Sequence, residues 1–433
     1  MTRSATTWVN WAREQRCAPV SFERPSDEAA VSACVRQAAG RGATVRAVGS
    51  GHSFTDVACT DGVMLDMSGM QRVLDVDQST GRVTVEGGIK LHQLGPILAE
   101  HGLALANQGD IDRQSITGAI STATHGTGAR LPNLSAQIVG MRLVTAAGEV
   151  RELNEGTDRE ALLAARVSMG ALGVITAATI QAVPLYTLHR HDETMRLPET
   201  LDRLDELADA SDHFEFFVFP YAERAITRTT RRSTEEPHHS PAWKRDVRER
   251  LDNRALDVLC RTGRRFPSQA PRLNRLITAV ASNGDEEGLA YRIYPNRRDV
   301  RFTEMEYAID RAHARSAIEQ VIALVRSRRL PILYPLEVRF VAADDAFLSP
   351  SHQRETCYIA VHQYNGMEFE SYLRAVEAIM DSLDGRPHWG KRHYQTAATL
   401  RPRYPDWDRF QCVRARFDPD GVFGNDYTRR VLA

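Results

Sequence analysis

The chain has 433 residues, of which 42% are hydrophobic, with 55 basic and 56 acidic side chains. That composition predicts a globular protein of two or three domains, able to bury several cores without disulfide or metal staples. A net charge of −1 excludes polyanion binding as the main task, so neither nucleic acid nor an anionic membrane is an expected partner.

Of the basic residues 52 are Arg and three are Lys (Lys90, Lys244 and Lys391), which singles out each lysine. The six cysteines (Cys17, Cys34, Cys59, Cys260, Cys357 and Cys412) follow no CxxC spacing. They read as reduced, buried thiols with no support for a zinc or iron–sulfur site. The N-terminal stretch lacks the apolar core of a secretory signal, and no apolar run approaches the ~18 residues of a spanning helix. The expectation is a soluble, cytoplasmic protein, with peripheral membrane attachment left open.

In chain order, Asp27 to Ala39 predicts a helix with an acidic start, and Thr44 to Val48 a β-branched strand. Strands follow at Val63 to Met67, Val73 to Val76 and Val83 to Val85, then a helix from Lys90 to His101 that Gly102 ends. Gln137 to Thr145 and Glu149 to Leu153 predict a hairpin. A helix from Arg159 to Val167 leads to a strand from Val174 to Val183. Longer elements come next: strands Phe214 to Pro220, Arg301 to Ile309, Tyr334 to Val341 and Tyr358 to Tyr364, and helices Arg311 to Arg328 and Glu368 to Leu383. Strands covered by helices predict an α+β second domain. Residues 221–280 hold 14 basic and 7 acidic side chains and read as a solvated, Arg-rich helical excursion. No metal site is expected at His238-His239.

Gly49-Ser50-Gly51-His52-Ser53 directly follows a strand, which suggests backbone curved around a phosphate. The dinucleotide fingerprint needs a third glycine and an ensuing helix, but Phe54 stands at that position and 55–62 is loop-like. A nicotinamide cofactor is therefore disfavoured. Two further small-residue loops, Gln108 to Gly128 and Gly170 to Ile175, offer close-contact walls for a flat polar ligand. Three such loops suggest a large nucleotide cofactor.

The motifs GSGHS, SITGAISTATHGTG and MGALGVI, with Glu337-Val338-Arg339, His388-Trp389-Gly390-Lys391 and the terminal FDPDxxFxNDY, together resemble the vanillyl-alcohol oxidase superfamily. Within it the chain is similar to the sugar-lactone oxidoreductases, from about residue 19 to the C-terminus. The resemblance implies a two-domain α+β flavoprotein. Residues 1–184 would bind FAD, 185–400 would form the substrate domain, and 401–433 would return to the FAD domain. It also implies oxidation of the C2 hydroxyl of an aldonolactone, with L-gulono-1,4-lactone favoured over D-arabinono- or L-galactono-1,4-lactone or an alditol. Electrons would pass to a dye, cytochrome c or oxygen. A flavin-free binding relative is the alternative from another class.

Residue by residue, the resemblance assigns Val48, Gly49, Ser50, Gly51, His52 and Ser53 to the cofactor, with His52 as a covalent flavin link. Gln108, Gly109, Ser115, Gly118, Ser121, Thr122, His125 and Gly126 would line the flavin, as would Gly170, Gly173 and Asn425, while Val174 and Ile175 would contact the cofactor through their backbone. Glu337 and Arg339 stand two apart on a predicted strand, so they share a face; the bland reading is a surface ion pair. The resemblance makes them, with Lys391, the catalytic set, and adds Ser121, His362 and His388 to the substrate pocket.

Overall fold

The computed structural model describes residues 7–233, 242–281 and 283–433; His238 and His239 lie outside them. Strands β1 (Ser21–Glu23), β2 (Val45–Val48) and β3 (Val63–Asp66) form a parallel sheet in the order β1-β3-β2. Helix α1 (Glu28–Ala39) makes the crossover, and the Asp27 side chain accepts from the Ala30 N–H at 2.8 Å to satisfy its first turn.

Next comes an antiparallel sheet of β4 (Val73–Asp77), β5 (Arg82–Glu86), β6 (Ile138–Val144), β7 (Val150–Asn154) and β8 (Val174–Gln181). Its order is β7-β6-β8-β5-β4. Helices α2 (Leu91–Glu100), α3 (Ile116–Ser121) and α4 (Arg159–Arg166) pack their apolar residues against it. Helix α3 corrects the expectation of loop throughout the hydroxyl-rich run.

The third sheet has eight antiparallel strands: β9 (Thr187–Arg196), β10 (His213–Val218), β11 (Arg224–Ser233), β12 (Gly284–Leu289), β13 (Phe302–Asp310), β14 (Leu336–Val341), β15 (Thr356–Tyr364) and β16 (Arg386–Pro387). They run in the order β12-β9-β11-β10-β14-β15-β13-β16. The Arg-rich block therefore opens with an interior strand, β11, before helices α5 (Ala242–Arg265) and α6 (Ala270–Val280). This corrects the purely helical expectation. Strand β11 was hidden because its arginines look alike in sequence, although Arg224, Arg231 and Arg232 are exposed while Arg228 is drawn in against Asp192 and Glu215.

Helices α7 (Ala314–Ser327) and α8 (Glu370–Asp381) cover one face of this sheet. Ile318 and Val321 meet Met305, Tyr307, Val338 and Ile359 there, all buried. The side chains between those positions point the other way, because successive strand residues alternate faces. On that opposite face stand Glu215, Glu304, Glu306, Glu337, Arg339 and His362, also buried. A face so rich in charge, yet withdrawn from water, is the feature that positions the site.

Helices α9 (Trp407–Phe417) and α10 (Asp426–Leu432) join the core of the five-stranded sheet through Phe410, Val413, Tyr427 and Val431. The Val45 N–H donates to the Val422 carbonyl at 2.7 Å, so the last segment is stitched to β2. No helix among the described residues is long and apolar enough to cross a membrane.

Candidate active site

A cleft of about 850 Å³ opens where β2 ends. Val48, Gly49, Ser50, Gly51, His52 and Ser53 line one side; Ser115, Gly118, Ser121 and Thr122 from α3 line another; Gly170, Gly173 and Ile175 complete it. A Cβ on Gly49 would stand 2.0 Å from the Ser115 Oγ, so only glycine lets the loop approach α3. Gly51 adopts φ +66° against the Trp8 ring. The Ser50 and Ser115 hydroxyls are buried without a hydrogen-bond partner among the described residues. Buried orphan hydroxyls beside a glycine cradle fit a polar, phosphate-bearing cofactor.

Arg46, unremarked in the sequence, braces this cleft. Its guanidinium donates to the carbonyls of Met169 (2.6 Å), Phe423 (2.9 Å), Gly170 (3.3 Å) and Val57. Burial pushes it down to about 10. Asn425 does similar work: its Nδ2 lies within hydrogen-bonding distance of the carbonyls of Asp56, Val57 and Cys59, at 2.9–3.1 Å. Its side chain therefore holds the loop behind the cleft instead of lining it. Val174 likewise turns its side chain into the core beside Val31 and Val35. Gln108, Gly109, His125 and Gly126 also stand off the cleft lining. Gln108 and Gly126 line a second cavity described below.

His52 stacks on Trp11, with ring centroids 5.6 Å apart. Burial lowers it to about 4, helped by the positive charge of Lys391, so its imidazole is neutral. Trp11, Phe54 and Phe302 continue the aromatic packing toward His362, whose ring lies 5.1 Å from Phe302. Phe54 joins the two regions: its N–H donates to the Gly390 carbonyl at 2.7 Å, and the Lys391 ammonium sits 5.2 Å above its ring.

Glu337 and Arg339 do share a face and pair with each other, but the pair is buried and is not a surface feature. Arg339 Nε also donates to Glu215 at 2.8 Å, and its Nη2 faces Asp110 at 3.5 Å. Arg298 holds Asp110 from the other side at 2.6 Å. Lys391 pairs with Glu304, whose other oxygen lies 3.3 Å from His362 Nε2. The His362 Nδ1 faces the Pro335 carbonyl at 3.2 Å, and its Nε2 faces Glu304 at 3.3 Å and Glu337 at 3.9 Å, so acceptor oxygens stand at both ring nitrogens.

Burial raises the Glu337 carboxyl, and Arg339 opposes it without prevailing. Burial also presses upward on Glu304, but Lys391 and His362 outweigh it and hold that carboxyl at about 2. Two neighbouring glutamates thus differ, one a stronger base and one a fixed anion.

His388 accepts from the Gly390 N–H on Nδ1 at 3.0 Å, and burial lowers it to about 3. His125 stacks on Tyr358 at 3.7 Å and faces Glu306 through Nε2 at 3.2 Å. His125, Glu306 and His388 bring ligand-type atoms within 4.8 Å of one another, but the Lys391 charge already opposes Glu306.

Sequence reasoning missed Asp110, Glu215, Glu304, Glu306, Arg228 and Arg298. A signal existed for three of them: Glu215 lies between Phe214 and Phe216, and Glu304 and Glu306 flank Met305 in a strand. Acids alternating with large apolar residues mark a strand with one apolar and one polar face, and the pattern alone does not tell that the polar face is buried.

Comparison with known proteins matches two stretches of the chain. Residues 19–154 match the FAD binding domain family, and residues 178–431 match the D-arabinono-1,4-lactone oxidase family. The chain is 65% identical to an L-gulono-1,4-lactone dehydrogenase of Mycobacterium tuberculosis (strain ATCC 25618 / H37Rv), over 98% of this chain and 99% of that one. It is 35% identical to an L-gulonolactone oxidase of Bos taurus, covering 98% and 97%. An alditol oxidase of a Streptomyces species is 31% identical, covering 99% of each. In fold it resembles cholesterol oxidase from B. sterolicum, with TM-score 0.82 at 17% identity over 99% of this chain and 96% of the other.

Proposed function

The chain belongs to the D-arabinono-1,4-lactone oxidase family and carries an FAD-binding domain, and from that premise we propose that it oxidises the C2 hydroxyl of L-gulono-1,4-lactone. The observation that carries the reading is the buried polar face. An anchoring cation, a basic carboxyl and an ammonium converge there, across Phe54 from the glycine-lined cleft. The 65% identity to a protein named for that lactone supports the choice of substrate. D-arabinono- and L-galactono-1,4-lactone and alditols form the second reading, favoured by the full-length match to an alditol oxidase.

Bound FAD supplies the hydride acceptor. The Gly49 to Ser53 loop, Ser115 and the Gly170 loop would hold its polar part, and the neutral His52 is our candidate for a covalent link. Arg339, oriented by Glu215, Glu337 and Asp110, donates from the rest of its guanidinium to the substrate hydroxyls and fixes the ring. Glu337 accepts the hydrogen bond of the reacting hydroxyl and takes its proton, a task suited to a carboxyl that burial has raised. The Lys391 ammonium steadies the negative charge that grows on that oxygen, in a site closed to water.

We divide the chain functionally at 1–184, 185–400 and 401–433, place it in the cytoplasm, and favour a dye or cytochrome c over oxygen as acceptor. The test is anaerobic mixing of the holoprotein with L-gulono-1,4-lactone. Bleaching of the flavin band supports the reading, and an unchanged band with all the lactones and alditols named here sinks it. Acid precipitation settles the link separately: yellow colour is expected to stay in the pellet, and to leave it in His52→Ala. Rapid reoxidation of the reduced protein by air, with stoichiometric peroxide, would overturn the acceptor choice.

A further inference from the structure

Beyond Arg339 the polar face runs into a second cavity of about 410 Å³. Arg339 on β14, Glu215 on β10, Arg228 and Thr230 on β11 and Arg190 on β9 form its floor. Asp110 and Arg339 belong both to this lining and to the cluster around Glu337, so the two spaces share a wall.

Most of the polar lining is already committed. Arg228 donates to Asp192 at 2.8 and 3.0 Å and to Glu215 at 3.1 Å. The Tyr294 hydroxyl is suspended between the Tyr186 hydroxyl and His213 Nε2, each at 2.9 Å. Arg190 differs. Its Nη2 pairs with Glu286, its Nε faces Asp192 at 3.7 Å, and its Nη1 is buried with no hydrogen-bond partner among the described residues. The side chain is only 10% exposed. A buried guanidinium N–H without an acceptor is a net cost that a bound oxygen removes.

The charges decide what kind of oxygen. Arg190, Arg228 and Arg339 are matched by Glu286, Asp192, Glu215, Asp110 and Glu337, which leaves no surplus cation for an anion. Burial keeps His213 and Tyr294 neutral as well. Neutral hydroxyl oxygens suit such a wall.

We propose that this cavity is a distal subsite for a neutral, polyhydroxylated end of the substrate, remote from the carbon that is oxidised, with Arg190 Nη1 donating to one of its hydroxyls. The proposal rests on the lactone and alditol reading above. Arg190 and Arg339 both line this cavity, and Arg339 also belongs to the cluster around Glu337, so a molecule that meets both extends beyond the carbon held beside Glu337.

The experiment uses the holoenzyme and aldono-1,4-lactones of four to seven carbons. In the wild type kcat/KM should rise at least ~10-fold from the shortest to the longest, in line with an added charged hydrogen bond. Arg190→Met should bring that long-to-short ratio close to one, and Arg190→Lys should restore part of it. A wild-type ratio near one, or an Arg190→Met that loses the same factor on every lactone, overturns the subsite. Anaerobic calorimetry with alditols of four to seven carbons reads the same gain in affinity without turnover. If no lactone reduces the flavin, the substrate reading fails, while the alditol titration still decides the subsite: affinity rising with length in the wild type but not in Arg190→Met supports it, and parallel curves refute it.

Discussion

Lys391 is one of three lysines in a chain with 52 arginines, and its compact ammonium sits between the Glu304 carboxylate and the Phe54 ring. Lys391→Met and Glu337→Gln should each slow anaerobic flavin reduction by roughly 10²–10³, the effect of losing one preorganised partner of a developing charge. Lys391→Arg should not rescue. Reduction within fivefold of wild type, measured by stopped flow, would return both residues to a structural role. Arg339 needs gentler treatment because Glu215, Glu337 and Asp110 all face it. Arg339→Ala would leave Glu337 without its guanidinium and would take one of two from Glu215 and Asp110, so Arg339→Lys is the informative change. It keeps the charge but loses the fork, and should raise KM about tenfold or more while kcat falls less. Equal KM values would show that Arg339 anchors its neighbours and not the substrate.

At the scale of elements, the glycine loop was legible because its constraint is local: a strand, then glycines where a side chain has no room. Gly49→Ala should abolish stable FAD loading, since the new Cβ would meet Ser115 Oγ at 2.0 Å. Ser115→Gly added to it should recover part of the flavin, read as the visible-to-ultraviolet absorbance ratio after gel filtration. Failure to recover any would mean that the loop needs more than space. The strands β13 and β14 were found to within a residue or two from their apolar positions. Their charged partners were not, because an acid in a strand looks like a solvent-facing residue until the other layer of the fold is known. Strands β9 and β11 were missed for the same reason: Asp192 pairs with Arg228 across them and Arg190 with Glu286 on β12, long-range facts absent from local pattern. Of the candidate site, Glu337, Arg339 and Lys391 were legible through motif resemblance, whereas Glu215 and Glu304, which hold them, required the sheet order.

For the whole molecule, buried carboxyls set how stability responds to pH. Burial raises Asp344 from 3.8 to about 6, against the hydrogen bonds from Ser349 and the Ala346 N–H. A carboxyl raised in the folded state stabilises below its unfolded value and loses that contribution as pH climbs through about 6. Asp344→Asn should therefore gain on the wild type between pH 4 and 7, by on the order of 1–3 kcal/mol. The melting-temperature difference between the two proteins, followed across that range, would stay flat if Asp344 were not the titrating group. Glu304 works in the opposite sense. Held at about 2 by Lys391 and His362, it stabilises above 4.5 and gives that up as acid is added.

The ion pairs on the polar face also join end to end. Lys391, Glu304, His362, Glu337, Arg339, Glu215, Arg228, Asp192, Arg190, Glu286 and Arg245 follow one another across the sheet, each facing the next. Such a row behaves as a one-dimensional ionic crystal, and it obeys a parity rule. Deleting one member sets two like charges facing each other across a gap, whereas deleting an adjacent pair leaves the alternation intact. Glu215→Gln alone or Arg228→Gln alone should cost about 3–5 kcal/mol, as expected when one partner of a buried pair is lost. The double variant should cost less than the sum by about 0.5–3 kcal/mol in a denaturant-unfolding cycle. Simple additivity would mean the row is only a coincidence of neighbours. If parity holds, the row can change in evolution only two charges at a time, and a site that reads sugar hydroxyls at one end is then tied to helix α5 at the other.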